Sequence, residues 1–175
     1  IALCPEDRKA EGVVGDLTIR ENIILALQAR YGWFKFIGTQ KQYEIAEKYI
    51  KLLGITTPSP DQLVKNLSGG NQQKVILARW LATDPEVLIL DEPTSALSEA
   101  EVTQLMGILD TLKAHGVTCI YVTHKLEEFF RITDHVTVLR DGKVVTTQET
   151  KDLTTKKLVK YMVGREMKER FPKGN

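Results

Sequence analysis

Two short motifs, one opening a predicted helix and the other closing an apolar strand, constrain the fold more than any other feature. The first is L-S-G-G-N-Q-Q-K at residues 67–74, and the second is V-L-I-L-D-E-P-T at residues 87–94. Mainly helical patterns precede the second motif, and alternating strand and helix patterns follow it. The order predicts an α/β fold with a helical subdomain at about 18–84, an α/β part at about 85–150 and a C-terminal helix and tail at 151–175.

The first motif has the composition of a phosphate-binding helix start. Ser68, Gly69 and Gly70 precede a helix predicted over residues 71–83. The first N–H groups of a helix lack internal acceptors and carry a partial positive charge, and glycine lets a phosphate approach the backbone closely. A γ-phosphate is therefore the natural ligand, although S-G-G alone is equally compatible with an ordinary serine cap.

The second motif ends in adjacent carboxylates, Asp91 and Glu92. Phosphoryl transfer needs a metal to neutralise charge and a group to position the nucleophile. We predict that Asp91 holds Mg²⁺ through water and that Glu92 orients and deprotonates the attacking water. His124 follows the next predicted strand, 117–122, and can donate a hydrogen bond to the γ-phosphate. Taken alone, a D-E pair is more often a solvated loop and a strand-end histidine is usually structural.

Local signals place the remaining elements. Capping boxes at Thr18–Glu21 and Ser98–Glu101 predict two helix starts, and Asp141-Gly142 predicts a hairpin turn. The first helix is expected to bury one apolar face: Ile23, Ile24, Leu27 and Tyr31. The helix predicted at about 41–53 has a second such face: Ile45, Ala46, Tyr49 and Leu52. A final helix is predicted at 155–163, and the tail after Gly164 is expected to be loose.

Composition excludes several classes of function. The 175 residues are 42% apolar and 27% charged with a net charge of +1, which gives no indication of nucleic-acid binding. No apolar run approaches the roughly 18 residues of a membrane span, so membrane association would require a partner. Cys4 and Cys119 lack zinc-ligand spacing, which favours a reducing cytoplasm, and Cys119 is expected to be a buried strand thiol. The start at Ile1, without methionine, suggests a fragment cut inside a strand.

The two motifs together resemble the signature loop and Walker B strand of an ATP-binding cassette (ABC) ATPase. Nearly the whole chain is similar to the ATP-binding subunits of bacterial sugar importers of the ribose, xylose and galactose class, and residues 19–33 are most similar to galactofuranose-type importers. The resemblance implies nucleotide contacts by six residues: Ser68, Gly69, Gly70, Gln72, Ser95 and Ser98. It also implies catalytic roles for Glu92 and His124 and a magnesium role for Asp91.

The resemblance is divided between the two cassettes that such subunits carry. Residues 1–93, with P-E-D-R-K-A-E-G and N-Q-Q-K, look like a second cassette. Residues 94–175, with T-S-A-L-S-E, H-K-L and M-V-G-R-E, look like a first cassette. The hypothesis is that the chain is a mosaic joined at the shared D-E-P-T string. Contiguous genomic sequence across residues 90–97 tests it, since one natural reading frame would count against mis-assembly.

Two departures from the family pattern bear on activity. The phosphate-gripping loop G-x-x-x-x-G-K-[ST] occurs nowhere in this sequence, and Glu6 stands where the family's Q-loop glutamine would fall. We therefore expect the phosphate-loop part of the P-loop NTPase fold to be missing at the N-terminal side. The isolated chain is expected to bind ATP poorly, while Ser68–Gly70 and the loop at 94–98 remain able to complete a partner's site.

The resemblance implies ATP and Mg²⁺ as cofactors and a peripheral location on the cytoplasmic face of the bacterial membrane. Expected partners are a second ABC cassette in a dimer, a transmembrane sugar permease contacted through residues 18–66, and indirectly a periplasmic or extracellular sugar-binding protein. One alternative is a non-catalytic interaction fragment that completes or blocks a partner cassette. Another is an ABC ATPase of the DNA-repair or translation type, which the absence of a basic patch disfavours.

Overall fold

The computed structural model describes residues 1–5, 12–32 and 35–164. The chain divides into two compact units, Ile1–His124 and Lys125–Asn175. The Q-loop position at Glu6, the tail after Gly164 and the end of the M-V-G-R-E string lie outside the described residues.

Three parallel strands form the sheet of the first unit, in the order β1-β2-β3. Their bounds are Ala2–Cys4 for β1, Val87–Asp91 for β2 and Thr118–Val122 for β3. The central strand β2 buries Leu88 and Leu90 completely. Parallel neighbours need crossover connections, which the intervening helices supply. The predicted α/β organisation of this region is confirmed.

Four helices accompany this sheet: α1 (Ile19–Tyr31), α2 (Thr39–Leu53), α3 (Gly69–Leu81) and α4 (Glu99–Ala114). Both predicted capping boxes are present, with Thr18 and Glu21 at the start of α1 and Ser98 and Glu101 at the start of α4. The helix predicted over 71–83 begins two residues earlier because Ser68 is its cap, and it ends at Leu81 with Ala82 as its C-cap. Local hydrogen-bonding side chains therefore define these helix starts.

Two predicted helix faces were partly wrong. Tyr31 is 54% exposed because it is the last residue of α1, beyond the buried cluster at Ile19, Ile23 and Ile24. Leu52 is 48% exposed, whereas Ala46 and Leu53, seven residues apart on α2, are buried. The packed face of α2 is thus rotated by about one residue from the predicted one.

A buried polar cluster joins α1, α3 and the segment before α1. The guanidinium of Arg79 donates to the Asn22 carbonyl (2.9 Å), the Asn22 Oδ1 (2.6 Å) and the Gly12 carbonyl (2.6 Å). Asn22 in turn donates to the carbonyl oxygens of Val14 and Thr18. Burial lowers the pKa of Arg79. The positive charge of Arg79 is stabilised by hydrogen bonds to neutral oxygen atoms. Each of these acceptors therefore offsets part of the cost of burying the guanidinium.

The second unit contains α5 (Leu126–Ile132), the antiparallel pair β4 (His135–Arg140) and β5 (Lys143–Glu149), and α6 (Thr155–Val163). Phe129, Val138 and Leu158 form its core. The predicted hairpin turn is confirmed, with positive φ at Asp141 (52°) and Gly142 (72°), as a type I′ turn requires.

Among the described residues no helix has the length and apolar character needed to cross a membrane. Cys119 was predicted to be buried, but its exposure is intermediate. It lies on the less exposed face of β3, which is an edge strand of the described sheet and is covered from one side only.

Replacing Arg79 with methionine should lower the free energy of unfolding by about 2–3 kcal/mol, because three hydrogen bonds from a charged donor are lost while the acceptors stay buried. Urea unfolding followed by circular dichroism measures the change. The control is Lys51→Met on the exposed side of α2, which should change stability by less than about 0.5 kcal/mol. Equal stability of the two variants would contradict a stabilising role for the cluster.

Candidate active site

The carboxyl end of β2 turns sharply at Glu92. Its φ of 44° lies in the left-handed region, which a residue with a side chain seldom adopts. The Glu92 N–H donates to the Val122 carbonyl at 3.0 Å, so pairing with β3 continues one residue beyond the strand. Such strain persists where surrounding contacts hold it, and it commonly accompanies functional positions.

Glu92 and His124, the two predicted catalytic residues, are in direct contact. The Glu92 Oε1 accepts the His124 backbone N–H at 2.9 Å and lies 2.7 Å from the His124 Nδ1. The Thr123 hydroxyl donates to the Glu92 Oε2 at 3.4 Å, a longer contact. The Glu92 side chain is 12% exposed and that of His124 is 76% exposed. A carboxylate only accepts, so Nδ1 carries the proton in this contact.

Asp91, the predicted magnesium residue, is the last residue of β2. Its carboxylate has no hydrogen-bond or ion-pair partner in the part of the chain that the structure describes. An oxygen ligand of this kind suits Mg²⁺. The described residues contain no group of three or more metal-ligating side chains. A cation here would therefore complete its coordination with water or substrate phosphates, as Mg²⁺ usually does.

The predicted phosphate loop forms the capped start of α3. The Ser68 Oγ accepts from the Asn71 N–H at 3.4 Å and from the Asn71 Nδ2 at 3.1 Å. Ser68 is exposed and Gly69 is partly exposed, whereas Gly70 is buried. Because Gly69 and Gly70 open the helix, their N–H groups have no intrahelical acceptor. This arrangement is compatible with an anion at Ser68 and Gly69.

Gln72 makes structural contacts. Its Nε2 donates to the Val64 carbonyl at 3.3 Å and the Leu67 carbonyl at 3.2 Å, and the residue is 8% exposed. These bonds hold the connector that leads into α3. The nucleotide contact predicted for Gln72 stays a prediction.

The loop after Glu92 is a pair of turns. The Ser95 N–H donates to the Glu92 carbonyl and the Leu97 N–H to the Thr94 carbonyl, both at 3.1 Å. Ser95 is exposed, and Ser98 caps α4. The structural role suggested for Ser98 is therefore present, while the nucleotide contacts of Ser95 and Ser98 stay predictions.

An ion pair that the sequence did not predict joins α3, which begins at the Ser68–Gly70 loop, to α4, which follows the loop at 94–98. Lys74 on α3 and Glu101 on α4 form an ion pair at 3.2 Å. A Cβ atom at Gly70 would lie 2.9 Å from the Glu101 Oε1. The capping box identified Glu101 as a helix start only, because sequence spacing does not reveal which helix packs against α4.

Two cavities in the described part of the chain do not coincide with the carboxylates. One, of about 20 Å³, lies behind Pro93 and Leu97 and is lined mostly by apolar side chains. The other, of about 380 Å³, is lined by Ile1, Trp80 and Glu86, at the amino end of β2. Asp91 and Glu92 lie at the opposite end of that strand.

Comparison with known proteins identifies the family. A family model described as ABC transporter matches residues 1–95. The galactofuranose transporter ATP-binding protein YtfR of Escherichia coli O157:H7 is 48% identical over 145 residues, which are 83% of this chain and 29% of that protein. The xylose import ATP-binding protein XylG of Moorella thermoacetica is 44% identical over 160 residues, 91% of this chain and 31% of that protein. The chain thus spans about 30% of the length of these relatives.

Solved structures show the same fold. The dimeric structure of MJ0796, a bacterial ABC transporter cassette, superposes with a TM-score of 0.73 at 25% identity and covers 86% of this chain and 62% of that chain. An inward-facing metal-chelate type ABC transporter gives a TM-score of 0.76 at 19% identity, covering 93% of this chain and 64% of that one. Both superpositions support an α/β cassette fold.

The Glu92–His124 contact predicts a defined histidine tautomer. Replacing Glu92 with glutamine should shift the neutral His124 ring from the Nδ1–H form toward the Nε2–H form, because an amide can also donate to Nδ1. Two-bond ¹H–¹⁵N NMR correlations of the imidazoles measure the tautomer ratio. His115 and His135 serve as internal references, and an unchanged His124 spectrum would contradict the contact.

Proposed function

Because this chain belongs to the ABC transporter family, in the group of sugar-importer ATP-binding proteins, we propose that it contributes to ATP hydrolysis that drives carbohydrate uptake. The observation that carries the proposal is the Glu92 carboxylate, held by His124 directly after β2 and next to Asp91, whose carboxylate has no partner among the described residues. A hydrolytic base must be oriented and partly shielded, and both conditions hold for Glu92.

The hydrogen bonds of Glu92 assign different tasks to its two oxygens. Oε1 accepts from the backbone N–H and the Nδ1–H of His124, whereas among the described residues Oε2 has only the longer contact to Thr123. Oε2 is therefore the oxygen available to accept a proton from the attacking water. His124 fixes the carboxylate orientation through its backbone N–H and its Nδ1–H. Its Nε2 can donate to a phosphate when both ring nitrogens carry a proton. Mg²⁺ held at Asp91 would supply charge neutralisation for the phosphates.

The start of α3 is proposed to act on nucleotide bound by a second cassette. The exposed Ser68 cap and the N–H groups of Gly69 and Gly70 offer donors to a γ-phosphate. No phosphate-gripping G-x-x-x-x-G-K-[ST] occurs in this sequence, so this loop and the turns at 94–98 would serve a site whose phosphate loop lies elsewhere. A dimer of cassettes brings such halves together.

The remaining partners are also proposals. Relatives named for galactofuranose, xylose, fructose and ribose support a carbohydrate as cargo. We propose a transmembrane sugar permease that contacts residues 18–66, a sugar-binding protein acting through that permease, and a peripheral position on the cytoplasmic face of the membrane. The sugar itself would be selected by the other components.

A second candidate function is a non-catalytic fragment that completes or blocks a partner cassette. This role needs only the exposed Ser68 cap at the start of α3, and it requires no G-x-x-x-x-G-K-[ST] string in the fragment itself. The two candidates share the α3 loop but differ in whether Glu92 performs chemistry.

Calorimetry and turnover separate these functions. The chain alone should bind Mg-ATP weakly, and tight binding would contradict the proposal. The chain joined at its amino end to a strand–G-x-x-x-x-G-K-[ST]–helix unit, here termed the extended chain, should hydrolyse ATP. Glu92→Gln should lower its kcat by about 10²–10³-fold, with Glu47→Gln, an exposed position on α2, as the matched control.

The second candidate is tested with an intact sugar-importer cassette mixed with the unextended chain. A completing fragment raises the cassette's turnover, and Ser68→Arg abolishes that increase while Glu92→Gln leaves it unchanged. A blocking fragment lowers turnover. If the extended chain is inactive and the mixture shows neither effect, both candidate functions fail.

A further inference from the structure

The first turn of α4 packs against the first turn of α3 through one carboxylate. The Glu101 Oε2 accepts the Ser98 N–H and the Ser98 hydroxyl, both at 2.9 Å. The Glu101 Oε1 pairs with the Lys74 Nζ at 3.2 Å, where the two side chains are only 26% and 11% exposed. These bonds lower the pKa of Glu101, with the Ser98 backbone contributing most. The carboxylate is thus charged and fixed from two sides.

Gly70 is in contact with this carboxylate. An added Cβ would lie 2.9 Å from Oε1 of Glu101, closer than real Cβ contacts, and 3.0 Å from Oε2, tighter than most of them, so the carboxylate would have to shift. The backbone of Gly70 does not itself require glycine, since its φ is not positive. The absence of a side chain at residue 70 therefore leaves room for Glu101, whether or not nucleotide is present.

A second pair of contacts holds the same surface of α4. The Lys74 Nζ also donates to the carbonyl of Gly54, the residue that ends α2, at 3.3 Å. The Gln104 amide, one turn after Glu101, would lie 2.6 Å from a Cβ at Gly54. The end of α2 and the start of α3 are thus both positioned against α4.

We propose that Glu101 is a positioning residue that, with Lys74, fixes the phosphate loop Ser68–Gly70 relative to the Thr94–Ser98 loop. The inference deepens the proposed function and rests on it, because both loops are proposed nucleotide contacts. If either loop moved, the Glu101 carboxylate would transmit the displacement to the other loop. Gly70 thus has a second role, because its lack of a side chain leaves the space that the Glu101 carboxylate occupies.

Hydrogen exchange on the unextended chain, without nucleotide, tests the physical link. Gly70→Ala should displace the carboxylate and speed amide exchange in the first turn of α4, residues 99–102, by about five-fold or more. In a Glu101→Ala background the same Gly70→Ala change should have no further effect there. If the first turn of α4 is unaffected by Gly70→Ala, or if the effects of the two changes simply add, the link is refuted.

Turnover of the extended chain tests the positioning role. Lys74→Met retains the Ser98–Glu101 cap but removes the ion pair, so kcat should fall about ten-fold with little change in KM. Lys74→Arg should restore kcat, which a general loss of stability would not predict, and Lys51→Met should match the unchanged protein. An unaltered kcat in Lys74→Met overturns the inference, whereas an inactive extended chain with intact exchange coupling overturns only the proposed hydrolysis.

Discussion

The hydrogen bond from the Glu92 N–H to the Val122 carbonyl determines the geometry of the candidate site. It extends the pairing of β2 with β3 past the end of the strand and holds Glu92 in its left-handed conformation. Because β3 is thereby kept in register up to its last residue, His124 arrives next to the Glu92 carboxylate. The Glu92–His124 contact follows from the register of β2 and β3.

Features fixed by neighbouring residues could be predicted from the sequence. The caps at Thr18 and Ser98 and the Asp141-Gly142 turn depend on groups three residues apart or fewer, and all are present. Tyr31 and Leu52 were assigned wrongly because their burial depends on which helix packs opposite. Spacing along one helix gives a period but not the direction of its partner.

The candidate site likewise contains contacts that the sequence could predict and one that it could not. The order of motifs predicted Asp91, Glu92 and His124 as one group, and the structure brings the last two into contact. The Lys74–Glu101 pair joins residues 27 positions apart on different helices, and nothing in the local pattern selects this pairing among many opposite charges. Lys74 and Glu101 also lie on opposite sides of the proposed junction at D-E-P-T. Any recombination there must have joined segments whose charges and volumes fit.

The exposure of His124 has a consequence for the strength of its contact with Glu92. With 76% of the imidazole in water, the attraction between ring and carboxylate is weakened by the high dielectric and by salt. A surface that excludes water from this edge would strengthen the same contact without moving an atom. The electrostatic environment of the Glu92 carboxylate therefore depends on the molecule that covers the sheet edge.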